Sequence, residues 1–266
     1  MVSPVAAGET PAAQTDSLEF TLAGRSTLTE AGRTIGRQSD FSVSASWLQR
    51  QALPFKDWYW GAGLCADVYE FRGTNALGLN RLQDCAVQFS LEYFIAGEAA
   101  VSVIARPGLY FESHPTGADW DIPVEAVTGI PLTDSFSGVI GLLDARFYRR
   151  LVPVAGVVWT ISPRVRLDAV YPEPALVITC ARQLELRLGG ELDGAGFRTD
   201  AALAHRPVDY TSYRVGGTLS GNPFPHLKLT GAAGYEVERT FEFLHETRRV
   251  HGGSVPYAKL NLEFSF

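Results

Sequence analysis

The chain has 266 residues, a formal net charge of -6, 26 glycines, 11% aromatic residues and a single methionine. The acid excess, without any basic cluster interleaved with aromatics, excludes a nucleic-acid surface. The lack of an apolar run of about 18 residues excludes a transmembrane helix. The glycine and aromatic content favours one large all-β domain, and strands of about ten alternating residues could still cross a membrane.

The chain begins with a segment, residues 1–16, that is rich in Ala, Pro, Thr and Gly. We expect it to be a flexible lead-in, followed by a single domain over residues 17–266. No charged stretch followed by an apolar stretch stands at the start. The signal peptide that export requires is therefore expected to be missing from this sequence, with Met1 standing in its place.

Alternation of apolar and polar residues predicts fourteen strands, and a 3.6-residue period is nowhere sustained. The predicted strands are 17–25, 40–50, 57–70, 82–96, 99–111, 121–131, 136–149, 152–161, 164–171, 175–181, 183–193, 209–220, 226–240 and 257–266. Two weak segments within 150–181 leave twelve strands as an alternative. Either even count puts both chain termini at the same end of a barrel.

The predicted connections alternate between short turns and mostly longer loops. The short turns are 51–56, 96–98, 132–135, 162–163, 181–183 and 221–225, and the longer loops are 28–39, 71–81, 112–120, 194–208 and 241–253. Outer-membrane barrels have this arrangement, with short periplasmic turns and longer outer loops. The pattern therefore predicts periplasmic termini.

The last ten residues, YAKLNLEFSF, place Leu260, Leu262, Phe264 and Phe266 on one strand face and polar residues on the other. This resembles the closing strand of bacterial outer-membrane barrels, whose C-terminal aromatic residue and alternating apolar positions are read by the barrel-assembly machinery. The resemblance implies that these four residues are an assembly signal.

One face of nearly every predicted strand carries charges of both signs, which small soluble barrels keep out of their interiors. A soluble two-sheet sandwich would have to bury these charges or expose faces lined by Leu, Phe and Trp, and both are costly. We therefore predict an all-β, antiparallel, up-and-down transmembrane barrel with a hydrated lumen. The residues predicted to face the lumen are Asp84, Glu92, Asp144, Arg146, Arg166, Asp168, Glu185, Arg187, Arg214, Lys228, Glu236 and Glu238.

Three segments carry a more specific resemblance: 166–177 (RLDAVYPEPALV), 213–219 (YRVGGTL) and 234–243 (GYEVERTFEF). Together with the terminal Phe266, they resemble a family of uncharacterised bacterial outer-membrane β-barrel proteins, a domain of unknown function. The resemblance covers about the last 100 residues. It implies a fold and a location in the outer membrane of a Gram-negative bacterium, and it implies no activity.

The chain has three cysteines, an odd number, so at least one is expected to be free or to pair between chains. Cys65 and Cys85 fall on opposite strand faces and should not form a disulfide, and Cys180 has no obvious partner.

The predicted function is a small porin-like channel for passive passage of ions or small solutes, since twelve to fourteen strands enclose more space than side chains fill. The acid excess predicts a weak preference for cations. One alternative is a closed structural barrel whose outer loops bind lipopolysaccharide or an envelope partner. The other is a membrane-embedded hydrolase built on the loop residues Glu242, His245, Glu246 and His251. We expect a monomer in contact with outer-membrane lipid, with no catalytic residues, cofactor or metal.

Overall fold

The computed structural model describes residues 12–74, 77–95, 98–145, 150–181, 183–200, 203, 205–244 and 248–266. Side chains are described for all of these except residues 98, 99, 144, 145 and 150. The strands are β1 (Gln14–Glu30), β2 (Arg33–Ala52), β3 (Trp58–Gly73), β4 (Arg81–Ile95), β5 (Glu98–Ala105), β6 (Gly108–Phe111), β7 (Trp120–Asp121), β8 (Val124–Thr133), β9 (Phe136–Ala145), β10 (Arg150–Ser162), β11 (Val165–Tyr171), β12 (Ala175–Ala181), β13 (Leu184–Arg198), β14 (Pro207–Phe224), β15 (Leu227–Phe243), β16 (Arg248–Gly252) and β17 (Val255–Ser265). A 3₁₀ turn, Gly117–Asp119, precedes β7. Within the described ranges, no helix is long and apolar enough to cross a membrane.

These segments form one sheet that closes into a fourteen-strand antiparallel barrel, because β1 pairs with both β2 and β17. Three barrel strands are interrupted: β5 continues as β6, β7 as β8, and β16 as β17. Pro107 and Pro123 lie at the first two breaks, where each lacks the N–H that a ladder requires. The predicted fold class and count of fourteen are confirmed, since β10, β11 and β12 each pair on both sides.

Apolar side chains cover the outside of the barrel, as the alternation predicts. Leu64 and Phe89 are 56% and 49% exposed. On β17, Leu260 and Phe264 are also exposed, while Lys259 turns inward to a carboxylate of β1. A side chain with this exposure on an apolar strand face is suited to lipid. The fold is that of an outer-membrane β-barrel.

The barrel has two ends that differ in their connections. The terminal end holds the chain termini, where Gln14 and Phe266 exchange main-chain hydrogen bonds of 3.0 and 2.9 Å. The opposite end, here called the loop end, holds most of the longer loops. The predicted loop over 28–39 is wrong: β1 and β2 continue through it and join at Ala31 and Gly32, whose φ angles are 48° and 78°. Two consecutive positive φ angles match the twist of a tight hairpin.

The other predicted loops at this end are shorter than expected. The strands extend into 194–208 and 241–253 and leave only 199–206 and 244–247 between them. Beyond the apolar outer belt neither strand face needs to be apolar, so these strand ends lack the alternation that marks a strand.

The barrel wall is tall on one side and low on the other. β2 has 20 residues and β14 has 18, whereas β11 and β12 have seven each. At about 3.3 Å per residue and a tilt near 40°, these lengths correspond to heights of about 50 Å and about 18 Å. The tall wall consists of β1–β4 and β13–β17, and the low wall consists of β8–β12.

The main hydrophobic core lies inside the barrel, at the loop end of the tall wall. The two edges of this wall approach each other here, because Arg198 of β13 pairs with Phe111 of β6, the strand next to β4. The core comprises Leu28, Tyr69, Phe71, Leu77, Leu79, Leu82, Ala86, Tyr110, Ala195, Phe197, Val208, Tyr210, Phe241, Phe243 and Val250. The interior is therefore packed with side chains at this end of the tall wall, and any hydrated lumen lies in the rest of the barrel.

The direction of β9 also differs from the prediction. The prediction that Asp144 and Arg146 face the lumen would place Val139 and Leu143 on the lipid face, but these two face inward, since Leu143 pairs with Glu125 while Ile140 and Leu142 are exposed outside. Both faces of this strand are apolar, so alternation alone cannot orient it. The cysteines are as predicted: none of the three forms a disulfide, and Cys65 and Cys85 lie on opposite faces.

Candidate functional site

The barrel interior divides into three regions, of which the first is the core at the loop end. Five aromatic rings at its centre form what we call the aromatic cluster: Tyr69, Phe71, Phe197, Tyr210 and Phe241. Neighbouring ring centroids lie 5.2 to 5.8 Å apart, mostly tilted or edge to face. Such packing excludes water, so the cluster fills the interior beside the tall wall.

A buried charged layer lies next to the aromatic cluster, towards the terminal end. Arg214 and Arg239 are 1% and 0% exposed. Arg239 binds Asp40 across the interior and lies 3.5 Å from Glu236, which accepts a 2.8 Å hydrogen bond from Ser212. Buried guanidinium groups require such compensation, because an unpaired charge in this position would be strongly destabilising.

The charged layer continues around Arg214 towards β17. The Arg214 Nη2 atom lies 3.1 Å from Asp193. Lys259 bridges two acids, with Nζ at 2.6 Å from Glu191 and 3.3 Å from Glu19. Acids and bases therefore alternate across four strands, and this side of the interior is held by ion pairs.

The second region is the half of the interior nearest the terminal end, where the inward side chains of the tall wall are small. On β2 they include Ser44 and Ser46, on β14 Thr218 and Ser220, and on β15 Thr230. These residues leave unfilled width in a barrel of fourteen strands. We call this part of the interior, which these small polar side chains line, the polar vestibule.

The third region is the inner face of the low wall. The inward positions of β8, β9 and β10 carry Val127, Val139, Val152, Val154 and Val158, here called the valine wall. Four of these are only half-buried and Val154 is 7% exposed. Among the described residues, none of the five belongs to the hydrophobic core. An inward side chain that stays partly exposed must border open space.

Next to the valine wall, the inner face becomes ionic. Asp168 on β11 accepts from Arg166 at 2.7 Å and lies 3.4 Å from Arg187 on β13. On the other flank, Arg106 lies 3.9 Å from Glu125 and donates to Gln88 at 3.2 Å. The space beside the low wall is thus bordered by an apolar strip between two sets of paired charges.

The structure directs most of the predicted lumen residues inward, in three groups. Asp84 and Glu92 are buried on β4, and Glu92 receives a 2.7 Å bond from Arg50. Glu185 and Lys228 are half-buried near the terminal end, where Lys228 pairs in register with Glu263. The others are Arg166, Asp168 and Arg187 at the low wall and Arg214 and Glu236 in the charged layer.

One predicted lumen residue faces the outside, and for two others the structure describes no side chain. Glu238 is a correction: its side chain is 67% exposed on the outside, beside Thr240 and His251. In the pairing of β14 with β15, Tyr213 lies opposite Glu238, whereas the next residue, Arg214, lies opposite Glu236. β15 therefore has one extra residue at this point, a bulge, which reverses the faces of the β15 residues beyond it. The Asp144 side chain and all of Arg146 lie outside the described residues.

Sequence reasoning missed Asp40 and Arg239, which are central to the charged layer. Arg239 was missed because the bulge shifts the phase of β15, and Asp40 because the segment before it was predicted to be a loop. The one signal in the sequence was Arg239 itself, a charged residue in a row of apolar residues at every second position that includes Leu229, Tyr235, Phe241 and Phe243. The alternation continues unbroken through the bulge and so could not indicate it.

The candidate hydrolase residues do not form a catalytic arrangement where they are described. Glu242 binds Arg249 at 2.8 Å, and His251 Nδ1 lies 3.4 Å from Thr240. His245 and Glu246 lie outside the described residues. In the part of the chain that the structure describes, no three His, Cys, Asp or Glu side chains are grouped to hold a metal ion.

Two outer loops are linked above the core by hydrogen bonds to carboxylates. Asp200 accepts from the main-chain N–H groups of Ser113 and His114, at 3.5 and 3.4 Å, and lies 3.3 Å from the His114 ring. Glu112 accepts from the Asp200 N–H at 2.8 Å. Burial acts to raise the pKa of Asp200, but the bonds from His114 and Ser113 outweigh it and lower the pKa. Burial raises the pKa of Glu112.

Comparison with known proteins supports the fold. No family model matches the chain, and no curated protein matches it. The COG4313 outer membrane channel from Pseudomonas putida F1 is similar in structure, with a TM-score of 0.56, 8% identity and 98% coverage of each chain. The TodX monoaromatic hydrocarbon channel, as a deltaS2S3 mutant, has a TM-score of 0.42 and 11% identity, with 97% of this chain and 91% of that chain covered. The β domain of the Bordetella autotransporter BrkA has a TM-score of 0.41 and 12% identity, with 96% and 100% covered.

Proposed function

We propose that this protein is a narrow outer-membrane channel through which ions or small solutes pass passively. The observation that carries the proposal is the half-buried valine wall, whose inward side chains border open space beside the low wall. The aromatic cluster fills only the interior of the tall wall. A solute would enter or leave through the polar vestibule and travel along the low wall, between the valine wall and the Arg166, Asp168 and Arg187 ion pairs.

The barrel topology gives the orientation of this channel. With an even number of strands and short turns at the terminal end, that end would face the periplasm and the loop end would face the exterior. We infer a location in the outer membrane of a Gram-negative bacterium, and the acid excess favours cations over anions.

Single-channel recording of the refolded protein in a planar lipid bilayer tests the proposal. We expect small steady current steps and, under a salt gradient, a modest cation preference. A Val127→Trp substitution should lower the conductance at least twofold because it narrows the space beside the low wall. Ala126→Trp is the matched control, since Ala126 is the adjacent residue on the lipid side. Equal conductance in the two variants would contradict this route.

A closed structural barrel is the second candidate, and the buried aromatic cluster and charged layer favour it. In that case the bilayer would stay silent even when insertion is verified by protease protection. We assign no enzymatic role, because the described loop histidines are bonded to carboxylates, hydroxyls or main chain and lack a nucleophile–base arrangement.

A further inference from the structure

The outer surface of the tall wall carries a pocket at the loop end. Its volume is about 270 Å³, and it is lined by Leu22, Ser39, Asp40, Phe41 and Arg72. Leu22 is 59% exposed on the outside. The Asp40 carboxylate turns inward to Arg239 and Tyr210, so it adds no free negative charge to the pocket. The pocket thus combines an apolar floor with one arginine.

Two more arginines surround this pocket. Arg72 pairs in register with Ser39, and Arg37, two residues before Ser39, is therefore its diagonal neighbour at about 7–8 Å. Arg25 lies in the β1 bulge that faces the same stretch of β2. We call Arg25, Arg37 and Arg72 the arginine patch.

The arginine patch carries more positive than negative charge. Arg72 is 75% exposed by side chain and, among the described residues, binds the neighbouring Glu70 at 2.9 Å. The side chains of Arg25 and Arg37 are exposed and make no hydrogen bond or ion pair with any described residue. Three cations on one sheet face repel one another unless an anion lies between them.

The patch lies at the edge of the lipid-facing belt. Below it, Leu22 pairs with Phe41, and the next outward pair is Phe20 with Val43. Above it the outward position of β2 is polar, at Thr34. In a barrel whose loop end faces the exterior, this boundary coincides with the headgroups of the outer leaflet.

We propose that the arginine patch and its pocket bind the phosphorylated headgroup of lipid A, the membrane anchor of lipopolysaccharide. Guanidinium groups bind phosphate through paired N–H donors, and an acyl chain would lie against Leu22 and Phe41. The proposal rests on the outer-membrane location and orientation given above. It does not depend on whether the lumen conducts.

Binding of fluorescent bisphosphorylated lipid A to the refolded protein in detergent tests this site. In an Arg37→Gln/Arg72→Gln variant we expect at least tenfold weaker binding. Lys56→Gln/Arg164→Gln is the matched control, because it also removes two exposed cations but at the terminal end. The control should bind within twofold of the unmodified protein. All variants are first tested for heat-modifiable migration, which reports an intact barrel.

Two further measurements identify the source of the phosphate. Dephosphorylated lipid A should bind weakly and equally to all variants, and excess inorganic phosphate should not displace the bisphosphorylated lipid. Equal binding by the patch variant and the control would overturn the proposal. So would full displacement by inorganic phosphate, since the patch would then hold any phosphate. If the protein conducts ions but does not bind lipid A, the proposed lipid A site is contradicted and the proposed channel is retained.

Discussion

Arg239 on β15 donates a hydrogen bond to the carboxylate of Asp40 on β2, although β1 and the interrupted strand β16–β17 separate their strands in the sheet. Both side chains are buried. The pair therefore spans the interior and ties together two parts of the tall wall that the main-chain ladder joins only indirectly.

Removal of Arg239 should destabilise the barrel strongly. In Arg239→Met, Asp40 loses its counter-charge and Glu236 keeps Arg214, 3.8 Å away, and we expect a loss of about 3–5 kcal/mol of unfolding free energy. Arg249→Met is the control, since Arg249 forms an exposed pair with Glu242 and should cost less than about 1 kcal/mol. Urea unfolding followed by tryptophan fluorescence measures both, and similar losses would contradict a special role for the interior pair.

Gly234 should not tolerate the addition of a methyl side chain. An added Cβ would lie 2.2 Å from the Val215 carbonyl oxygen, because the strands approach closely there. We expect Gly234→Ala to cost about 1–3 kcal/mol through overpacking. Gly231 on the same strand is the control, since a Cβ there meets nothing within 4 Å. Comparison of the two urea midpoints tests the prediction, and equal midpoints would oppose it.

The link between the outer loops should weaken in acid. Because the pKa of Asp200 is lowered in the folded state, its ionised form stabilises the link at and above the ordinary pKa of aspartate, near 4. That contribution is lost as the pH falls through the lower folded value. Hydrogen exchange of residues 112–119, corrected for intrinsic rates, should accelerate at acid pH. In Asp200→Asn these residues should exchange rapidly at all pH values. If the variant instead shows the same pH profile as the unmodified protein, the link is refuted.

Phe266 should matter for assembly in the cell as well as for closure of the barrel. Its ring stacks on His226 with centroids 5.5 Å apart and planes within 13°. If the resemblance to a barrel-assembly signal holds, Phe266→Ser should reduce the assembled protein in outer membranes several-fold but change refolding from urea only slightly. Equal losses in both measurements would indicate a purely structural role.

The sequence predicted the fold well where one strand face meets lipid. On β17 the alternation of Leu260, Leu262 and Phe264 with Lys259 and Asn261 is complete. The hydrocarbon outside requires apolar side chains, whereas the barrel interior holds polar ones. Above the lipid boundary the contrast disappears, since residues such as Arg37 and Thr34 meet a polar medium outside. The strand ends there were consequently predicted to be loops.

The interior was predicted less well, for two physical reasons. A bulge adds one residue and reverses the face of every later side chain, so Glu238 was predicted to face the lumen and Arg239 was missed. The packed core also depends on contacts between distant segments, such as Leu77 and Leu79 against Tyr69 and Tyr210. Local alternation carries no information about which inward faces meet each other.

The short strands of the low wall affect the surrounding lipid bilayer as well as the lumen. Strands of about 18 Å, such as β11 and β12, are shorter than a hydrocarbon layer of about 25–30 Å. This hydrophobic mismatch must be met by local thinning of the membrane or by tilt of the barrel towards that side. Lipids beside β11 and β12 would then be compressed, and that flank would be favoured for contacts with other membrane proteins that relieve the same mismatch.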